Sequence, residues 1–149
     1  MKDLLKFLQS QRLITIASYN NDLWISNAYA CTGDNFNIYF ISPTKATHSK
    51  YIEANSNIVF SFSWFDPKNL SNRKGVQGKG TCKMVKNPVE LAKGIKHMYD
   101  SFPEMRDILT LKWISENVWG TKLWVIKPTY IKHWNDEIYG EEENKEFKF

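Results

Sequence analysis

Side chains that bind anions are concentrated in one short stretch, residues 42–50, with the sequence SPTKATHSK. The stretch carries hydroxyl groups, an imidazole and two ammonium groups, on Thr44, Lys45, Thr47, His48 and Lys50 among others. Hydroxyl and ammonium groups donate hydrogen bonds to phosphate, and the free N–H groups at the start of a helix supply further donors. We therefore interpret the stretch as a candidate phosphate site.

The elements around this stretch are predicted to be a strand and a short helix. Apolar side chains at every second position of residues 36–41 are typical of a strand. The strand should end at Ser42, because Pro43 restricts the residue before it to extended geometry. Residues 45–54 then predict a short helix with Thr44 as its N-cap. An ordinary capped helix with solvated lysines is the alternative explanation of the same pattern.

The rest of the sequence shows no arrangement typical of acid–base, nucleophilic or metal-dependent catalysis. Nucleophile-elbow, Walker and GxGxxG patterns are absent, and the histidines His48, His97 and His133 are not at metal-ligand spacing. Cys31 and Cys82 are far apart, which is more typical of small core residues in a reducing compartment than of a disulfide. If the protein is an enzyme, we expect a cofactor to supply the difficult chemical step.

Composition and charge indicate one globular domain with a basic body and an acidic end. The chain has 149 residues, of which 42% are hydrophobic and 24% charged, enough for a single core. Six acids and two lysines give residues 136–149 a net charge of −4, which leaves +8 on residues 1–135. We predict a folded domain over 1–135 and a solvated acidic tail over 136–149. The basic body could hold phosphate-bearing ligands or bind nucleic acid nonspecifically.

Two further features of the composition concern location and assembly. No run approaches the ~20 apolar residues of a membrane span, and the N-terminus lacks a signal-peptide cleavage site. We therefore expect a cytoplasmic protein with no membrane partner. Aromatic residues make up 15% of the chain, and we expect some of them to line a groove or a subunit interface.

The order of the predicted elements is that of a barrel with flanking helices. Periodicity and turn residues predict a helix over 3–11 and strands over 12–19, 23–32, 36–41, 57–66, 75–85 and 120–134. The last strand should be interrupted at Pro128. The glycines of residues 75–85 suggest a bulge or a close approach of another group. This order suits a mainly β fold, a closed or split antiparallel barrel with flanking helices.

One further helix is predicted after the fifth strand. Asn87, Pro88 and Glu90 have the form of a capping box, so a helix should begin here and end near Phe102. Residues 105–117 are ambiguous and are predicted to be partly helical.

Three short motifs resemble a known family: LWISNAY at 23–29, the corner THSKYI at 47–52 and GVQGKG at 75–80. Together with the order of strand, SPTKATHSK, short helix and apolar strand, they resemble the FMN-binding split barrel of the pyridoxamine 5'-phosphate oxidase-like superfamily. The similarity covers roughly residues 4–134 and is closest to a small bacterial group of that superfamily that has no assigned activity. Because the motifs are short, they bear more on fold than on activity.

The resemblance implies FMN as cofactor, bound in a homodimer with two flavins at the interface. It places the flavin phosphate among Ser42, Thr44, Lys45, Thr47, His48 and Lys50. Asn27 and Gln77 are the candidates for the polar edge of the ring. Trp119 or Trp124 could cover the ring from the partner chain, although core packing is the favoured role for each.

Two departures from the family pattern argue against a true pyridoxamine phosphate oxidase. Such enzymes usually carry an arginine on the second strand where this chain has Asn27, and they end in an R-L-x-P type segment that this chain lacks. The main hypothesis is an FMN-dependent oxidoreductase or flavin carrier of unknown substrate, with no nucleic-acid partner expected. The alternative is a binding module without redox chemistry, for haem or nucleic acid, since related split barrels bind haem or a deazaflavin.

Overall fold

Alternating apolar residues close six strands of the chain into an antiparallel barrel. The structure, a computed structural model, describes residues 1–107 and 120–149. Within these residues the elements are α1 (Lys2–Ser10), β1 (Leu13–Tyr19), β2 (Leu23–Thr32), β3 (Ile38–Pro43), α2 (Thr47–Ala54), β4 (Asn57–Trp64), β5 (Lys74–Met84), α3 (Pro88–Ser101), a 3-10 turn (Pro103–Met105), β6 (Thr121–Asn135), α4 (Asp136–Tyr139) and β7 (Asn144–Lys148). The strand order is β3-β2-β1-β4-β5-β6, and β3 also pairs with β6 to close the barrel. The predicted split-barrel fold with flanking helices is confirmed.

The period-2 pattern of the strands separates the barrel interior from its outer surface. On β4, Ile58, Phe60 and Phe62 are buried in the main core, whereas Val59 is 53% exposed. These alternating faces are those of a strand, as predicted for residues 57–66. Helix α1 adds Leu4 and Leu8 to the same core. Each fully buried side chain of this size contributes roughly 1.5–3 kcal/mol to folding.

The glycines of β5 allow other groups to approach the strand closely, as its composition predicted. A Cβ at Gly78 would lie 2.3 Å from the Phe60 ring, so the ring packs directly on the backbone. At Gly80 a Cβ would meet the carbonyl oxygen of Lys127, also at 2.3 Å, beside a shift in the pairing of β5 with β6. The predicted interruption at Pro128 was wrong: β6 runs through it, because the shift occurs there and the missing N–H is tolerated at an irregular pair.

Strand β3 is shifted towards the C-terminus relative to the prediction. It begins at Ile38, because Phe36 has a positive φ of 65° and belongs to the preceding turn. It continues through Pro43, which pairs with Thr121 of β6, so the expected end at Ser42 was one residue early. Strand β3 pairs with β2 only as far as Phe40. Pro43 therefore has no neighbour on β2, and its missing N–H breaks no hydrogen bond on that side of the strand.

Helix α3 begins as predicted and ends before Phe102. The Asn87 carboxamide oxygen accepts hydrogen bonds from the N–H groups of Val89 (2.9 Å) and Glu90 (3.1 Å). The reciprocal half of the capping box does not form. The Glu90 carboxylate instead accepts a hydrogen bond from the Tyr39 hydroxyl (2.8 Å), which holds the helix against β3.

The acidic end of the chain is ordered, so the expectation of a solvated tail was wrong. Strand β7 pairs with the second half of β6, and Phe147 packs against the main core. Helix α4 is held by Asp136, which pairs with Arg73 (3.0 Å), and by Glu137, which pairs with Lys74 (2.7 Å). Attractive pairs with the basic body thus offset the repulsion between the acids themselves.

Three further observations bear on the sequence predictions. Both cysteines are free and buried, and burial raises the pKa of each thiol. In residues 1–107 and 120–149 there is no helix long and apolar enough to cross a membrane. The same residues contain no cluster of three His, Cys, Asp or Glu side chains suited to a metal ion. Most of the ambiguous segment 105–117 lies outside the described residues.

Candidate functional site

The corner between β3 and α2 is a tight turn that precedes the helix. The Ala46 N–H donates to the Pro43 carbonyl (3.1 Å), and the Thr44 N–H donates to the carbonyl of Gly120 at the start of β6 (2.9 Å). Helix α2 therefore begins at Thr47 rather than at Lys45. The N-cap is Ala46, so the prediction of Thr44 as N-cap was wrong: its backbone is held by β6 instead.

This geometry leaves the start of α2 without a side-chain cap. The helix N–H groups of Thr47, His48 and Ser49 precede the first bond of the helical ladder, which runs from the Lys50 N–H to the Ala46 carbonyl. No acidic residue lies in this first turn. Uncapped N–H groups and the positive end of the helix dipole both favour an anion at this position.

Behind the corner, a small polar network holds the strand against the helix. The Ser42 hydroxyl lies 2.6 Å from His48 Nε2 and 3.2 Å from the Ser49 hydroxyl. The Trp124 indole N–H donates to the Ser42 carbonyl (3.1 Å). Burial lowers the pKa of His48, so its imidazole is neutral at pH 7. Ser42 and His48 thus position the corner, and the Ser42 hydroxyl and His48 Nε2 are already bonded within the protein.

The side chains free to meet a ligand at the corner are those on its outer side. Lys45, Thr47 and Lys50 are exposed, and Thr44 is half-buried. The structure therefore brings the six predicted phosphate residues to one corner and divides them between two roles. Ser42 and His48 support the turn, and the other four are exposed or half-buried on its outer side.

The two residues predicted for the ring edge lie elsewhere, on the outer face of the barrel. Asn27 pairs with Thr15, Thr15 with Ser61, and Ser61 with Gln77, so these four share one row across β2, β1, β4 and β5. Three strand spacings separate Asn27 from Gln77, roughly 14 Å along the sheet. The Asn27 carboxamide oxygen accepts a hydrogen bond from the Thr15 hydroxyl (2.8 Å).

A groove of about 500 Å³ runs along this row on the outer face. One side is apolar and includes Ile25 and Val59, and the other includes Gln77, Lys79 and Lys132. We did not single out the two lysines from the sequence. Lys79 is two positions from Gln77 on β5, and Lys132 is two positions from Tyr130 on β6, so each pair lies on one face of its strand. Only the pairing of β5 with β6 shows that the two lysines are neighbours.

Two tryptophans were predicted as candidates to cover a flavin ring, and the structure describes only Trp124. Trp119 lies outside the described residues. Trp124 is fully buried and stacks on Phe40, with ring centroids 6.3 Å apart. Its role is core packing, so it cannot cover a ligand on a partner subunit.

Comparison with solved structures identifies the fold. The chain is similar to a putative pyridoxamine 5'-phosphate oxidase from Listeria innocua, with TM-score 0.68 and 12% identity over 90% of this chain and 97% of that one. It is similar to an FAD-binding protein from Mesorhizobium loti, with TM-score 0.68 and 13% identity over 89% and 91%. It is also similar to HutZ, a haem storage protein from Vibrio cholerae, with TM-score 0.68 and 18% identity over 99% and 92%.

The remaining comparisons concern the length of the similar proteins and the similarity of their sequences. The chain also matches longer proteins, of which it spans 53–58%. No protein-family model and no curated protein matches the sequence. Identities this low bear on fold alone. The resemblance found in the sequence is confirmed at that level: this chain has the split-barrel fold of the pyridoxamine 5'-phosphate oxidase-like superfamily.

Proposed function

We propose that this protein binds FMN, with the flavin phosphate at the β3–α2 corner, and acts as a flavin-dependent oxidoreductase of unknown substrate. The observation that carries the proposal is the uncapped start of α2, which has no acid in its first turn and to which the exposed residues Lys45 and Thr47 are adjacent in the chain. The FAD-binding neighbour from Mesorhizobium loti shows that a protein of this fold can hold a flavin nucleotide.

The donors at the corner fit a phosphate group. A phosphate oxygen accepts several hydrogen bonds at once, and the corner combines backbone N–H groups, a hydroxyl and a cation on a short turn. Thr44 and Lys45 lie in the turn before α2, and Lys50 adds positive charge in the helix itself. When bound, FMN would supply hydride or electron transfer, and the residues of this chain would bind and orient it.

A homodimer is part of this proposal. Large apolar side chains on the outer face of β1, β2 and β4 are exposed, which is unusual for a surface that stays in water. Asn27 and Gln77 lie on the same outer face. A second subunit on this face would exclude water from a ring held near Gln77.

Haem is the second candidate, since the neighbour from Vibrio cholerae is a haem storage protein. Haem iron in proteins is commonly held by a histidine nitrogen. Here His48 Nε2 is bonded to Ser42, His133 is fully buried, and His97 stacks on Tyr39 and lies against Gly33. Each histidine already has a packing role, and the flavin hypothesis is therefore preferred.

A direct titration separates the candidates. Purified protein freed of ligand is titrated with FMN, riboflavin and haemin, and flavin fluorescence and the Soret band are recorded. We expect FMN to bind about tenfold more tightly than riboflavin, because only FMN brings a phosphate to the corner. Equal affinity for both flavins would contradict a phosphate site, and a saturable Soret shift without flavin binding would favour haem.

A further inference from the structure

A second groove, of about 300 Å³, lies between α1, α4 and the ends of β4, β5 and β6. Its lining residues are Asp3, Lys6, Phe7, Ser10, Gln11, Trp64, Lys74, Asn135 and Ile138. Asn135 ends β6, whereas the corner lies at the start of that strand. These lining residues include neither those of the corner nor the exposed apolar residues of β1, β2 and β4. The groove is therefore separate from the proposed phosphate site and from the proposed dimer surface.

The carboxamide of Asn135 carries an unpaired hydrogen-bonding group in this groove. The residue is 6% exposed, and its Oδ1 is buried without a hydrogen-bond partner among the described residues. The χ2 torsion of asparagine is broad, so a rotation about it can turn this oxygen towards the groove. Two other polar side chains are already bonded, because Gln11 donates to the Ser10 hydroxyl (2.9 Å) and Ser10 donates to the Phe7 carbonyl (2.7 Å).

The unpaired atoms beside Asn135 are also acceptors. Asn72 and Asp136 are its neighbours through the hydrogen bonds and pairing between residues 72–74 and 135–137. Each of the two has a buried Oδ1 without a hydrogen-bond partner in the described part of the chain. A buried acceptor gains most from a group that donates to it. This end of the barrel therefore favours a ligand that donates a hydrogen bond over one that only accepts.

The charges around the groove balance. The Lys74 ammonium group lies 2.7 Å from the Glu137 carboxylate and 4.7 Å from the centre of the Trp64 ring. Asp3 and Lys6 carry opposite charges on α1, and the ion pairs found within 1–107 and 120–149 engage neither of them. A ligand with a full charge would gain little net attraction here and would lose its hydration. A neutral ligand is the better fit.

The groove also has an apolar wall, formed by Phe7, Trp64 and Ile138. Phe7 is buried and Trp64 half-buried, whereas Ile138 of α4 is 49% exposed, which is high for a large apolar side chain. The volume lies at the lower end of the usual range for small-molecule sites, roughly 300–1,000 Å³. It suits a flat molecule of one or two fused rings.

We propose that this groove binds a small neutral aromatic molecule of the indole type, whose flat body lies against the apolar wall and whose single N–H donates to the carboxamide oxygen of Asn135. A nucleobase is the poorer fit, because its several polar groups would outnumber the partners available and stay unpaired. Binding needs no flavin, so the inference goes beyond the proposed function and does not rest on it.

The test compares indole with benzofuran, which has the same shape but an oxygen in place of the N–H. Both are titrated into flavin-free full-length protein, and binding is followed by the amide chemical shifts of the protein. We expect indole to bind about fivefold to tenfold more tightly, because only indole pairs the Asn135 oxygen. Asn135→Leu, which removes the acceptor, should abolish this difference. Ile138→Asp should weaken both probes, because it places a charge in the apolar wall.

Val89→Asp is the matched control for Ile138→Asp, because Val89 is an exposed apolar residue of another helix, and it should leave both probes unchanged. Saturating FMN should also leave the indole affinity unchanged, and competition between the two would contradict a separate groove. Uracil binding more tightly than indole would overturn the ligand class. Equal affinity for indole and benzofuran, or no binding of either, would overturn the inference whatever the result with FMN. If Asn135→Leu does not fold, an unchanged indole affinity in Ile138→Asp would still overturn it.

Discussion

At the scale of single residues, the corner separates groups that hold the protein together from groups available to a ligand. The Ser42 hydroxyl and His48 Nε2 are hydrogen-bonded to each other (2.6 Å). Lys45, in contrast, is exposed and has no ion pair within the described part of the chain. The sequence shows both kinds of residue as members of one polar stretch. Only the turn at 43–46 distinguishes their roles.

Lys45→Ala is expected to weaken FMN binding about tenfold or more and to affect riboflavin much less. The reason is that a charge-assisted contact to phosphate contributes about 1.5–3 kcal/mol to FMN binding. Riboflavin has no phosphate group and makes no such contact. Fluorescence titration of both flavins measures the difference. Lys68→Ala, at the other end of β4 from α2, is the matched control. Equal weakening of both flavins would show that Lys45 does not contact the phosphate.

His133 makes a second prediction at this scale, on pH dependence. The side chain is fully buried between Phe7 and Tyr139, and burial lowers its pKa to about 4. In the unfolded chain it takes up a proton near pH 6.5. Between these values the unfolded state binds more protons, so the free energy of unfolding should fall as the pH decreases, by about 1–3 kcal/mol in all.

The measurement is denaturant unfolding of wild type and His133→Phe from pH 7.5 to 4. Phenylalanine keeps the aromatic contact with Phe7 but cannot be protonated, so the variant should lose less stability over this range. His97→Phe, at the half-buried histidine of α3 that stacks on Tyr39, is a control. Parallel pH profiles for wild type and His133→Phe would contradict a neutral, buried His133.

At the scale of elements, the sequence predicted features that depend on local residue patterns, and it missed features that depend on contacts between residues distant in the chain. The faces of β4 and the start of α3 followed from local pattern. The start of α2 did not, because Thr44 is held by Gly120, which lies 76 positions further along the chain. The order of residues 136–149 was missed for the same reason: their ion pairs and strand partner lie in β5, β6 and the loop before β5.

The pairing of β7 gives a prediction for this element. Phe147 is half-buried and packs against the main core opposite Ile131. Phe147→Ala should therefore lower the free energy of unfolding by about 1–2 kcal/mol, which is less than for a fully buried phenylalanine. Thermal unfolding should shift by a few degrees, roughly 2–8 °C. Phe65→Ala, whose side chain is 70% exposed, should change little, and an equally small effect at Phe147 would indicate a detached C-terminus.

At the scale of the whole molecule, the distribution of apolar surface favours a homodimer. Six large side chains that are 51–73% exposed share the outer face of neighbouring strands: Leu13, Tyr19, Leu23, Ile25, Tyr29 and Val59. A contiguous apolar face of this kind marks an interaction surface more often than a solvated one. The aromatic and apolar content of the sequence indicated an interface, but not which face carries it.

We expect sedimentation of the wild-type protein at micromolar concentration to show a dimer, and Leu23→Lys to shift it to monomer. A lysine there would place a charge within the proposed interface, at a cost well above that of a surface substitution. Leu70→Lys, whose side chain is 76% exposed in the loop before β5, should leave the dimer intact. A wild-type monomer at these concentrations would contradict the assembly.

Activity is the remaining property of the whole molecule, and we expect no meaningful oxidation of pyridoxamine or pyridoxine phosphate even with FMN bound. Such a substrate carries its own phosphate, so a second phosphate pocket is needed to orient its reactive carbon against the flavin. The C-terminal segment does not supply one. The strand β7 fixes it along β6, and the turn that precedes β7 exposes Glu141, Glu142 and Glu143. Acids at this position would repel the substrate phosphate.

The outer groove does not replace that pocket, because Glu146 of β7 lies directly opposite Lys132 and would repel a phosphate dianion. A steady-state assay with FMN-loaded protein and both phosphate esters tests the expectation, and an authentic pyridoxamine phosphate oxidase serves as the positive control. Turnover of about 1 per second or more, within the usual enzymatic range, would show that a phosphate pocket exists despite the acidic turn. Activity at the level of free FMN would support the assignment of the chain to another substrate.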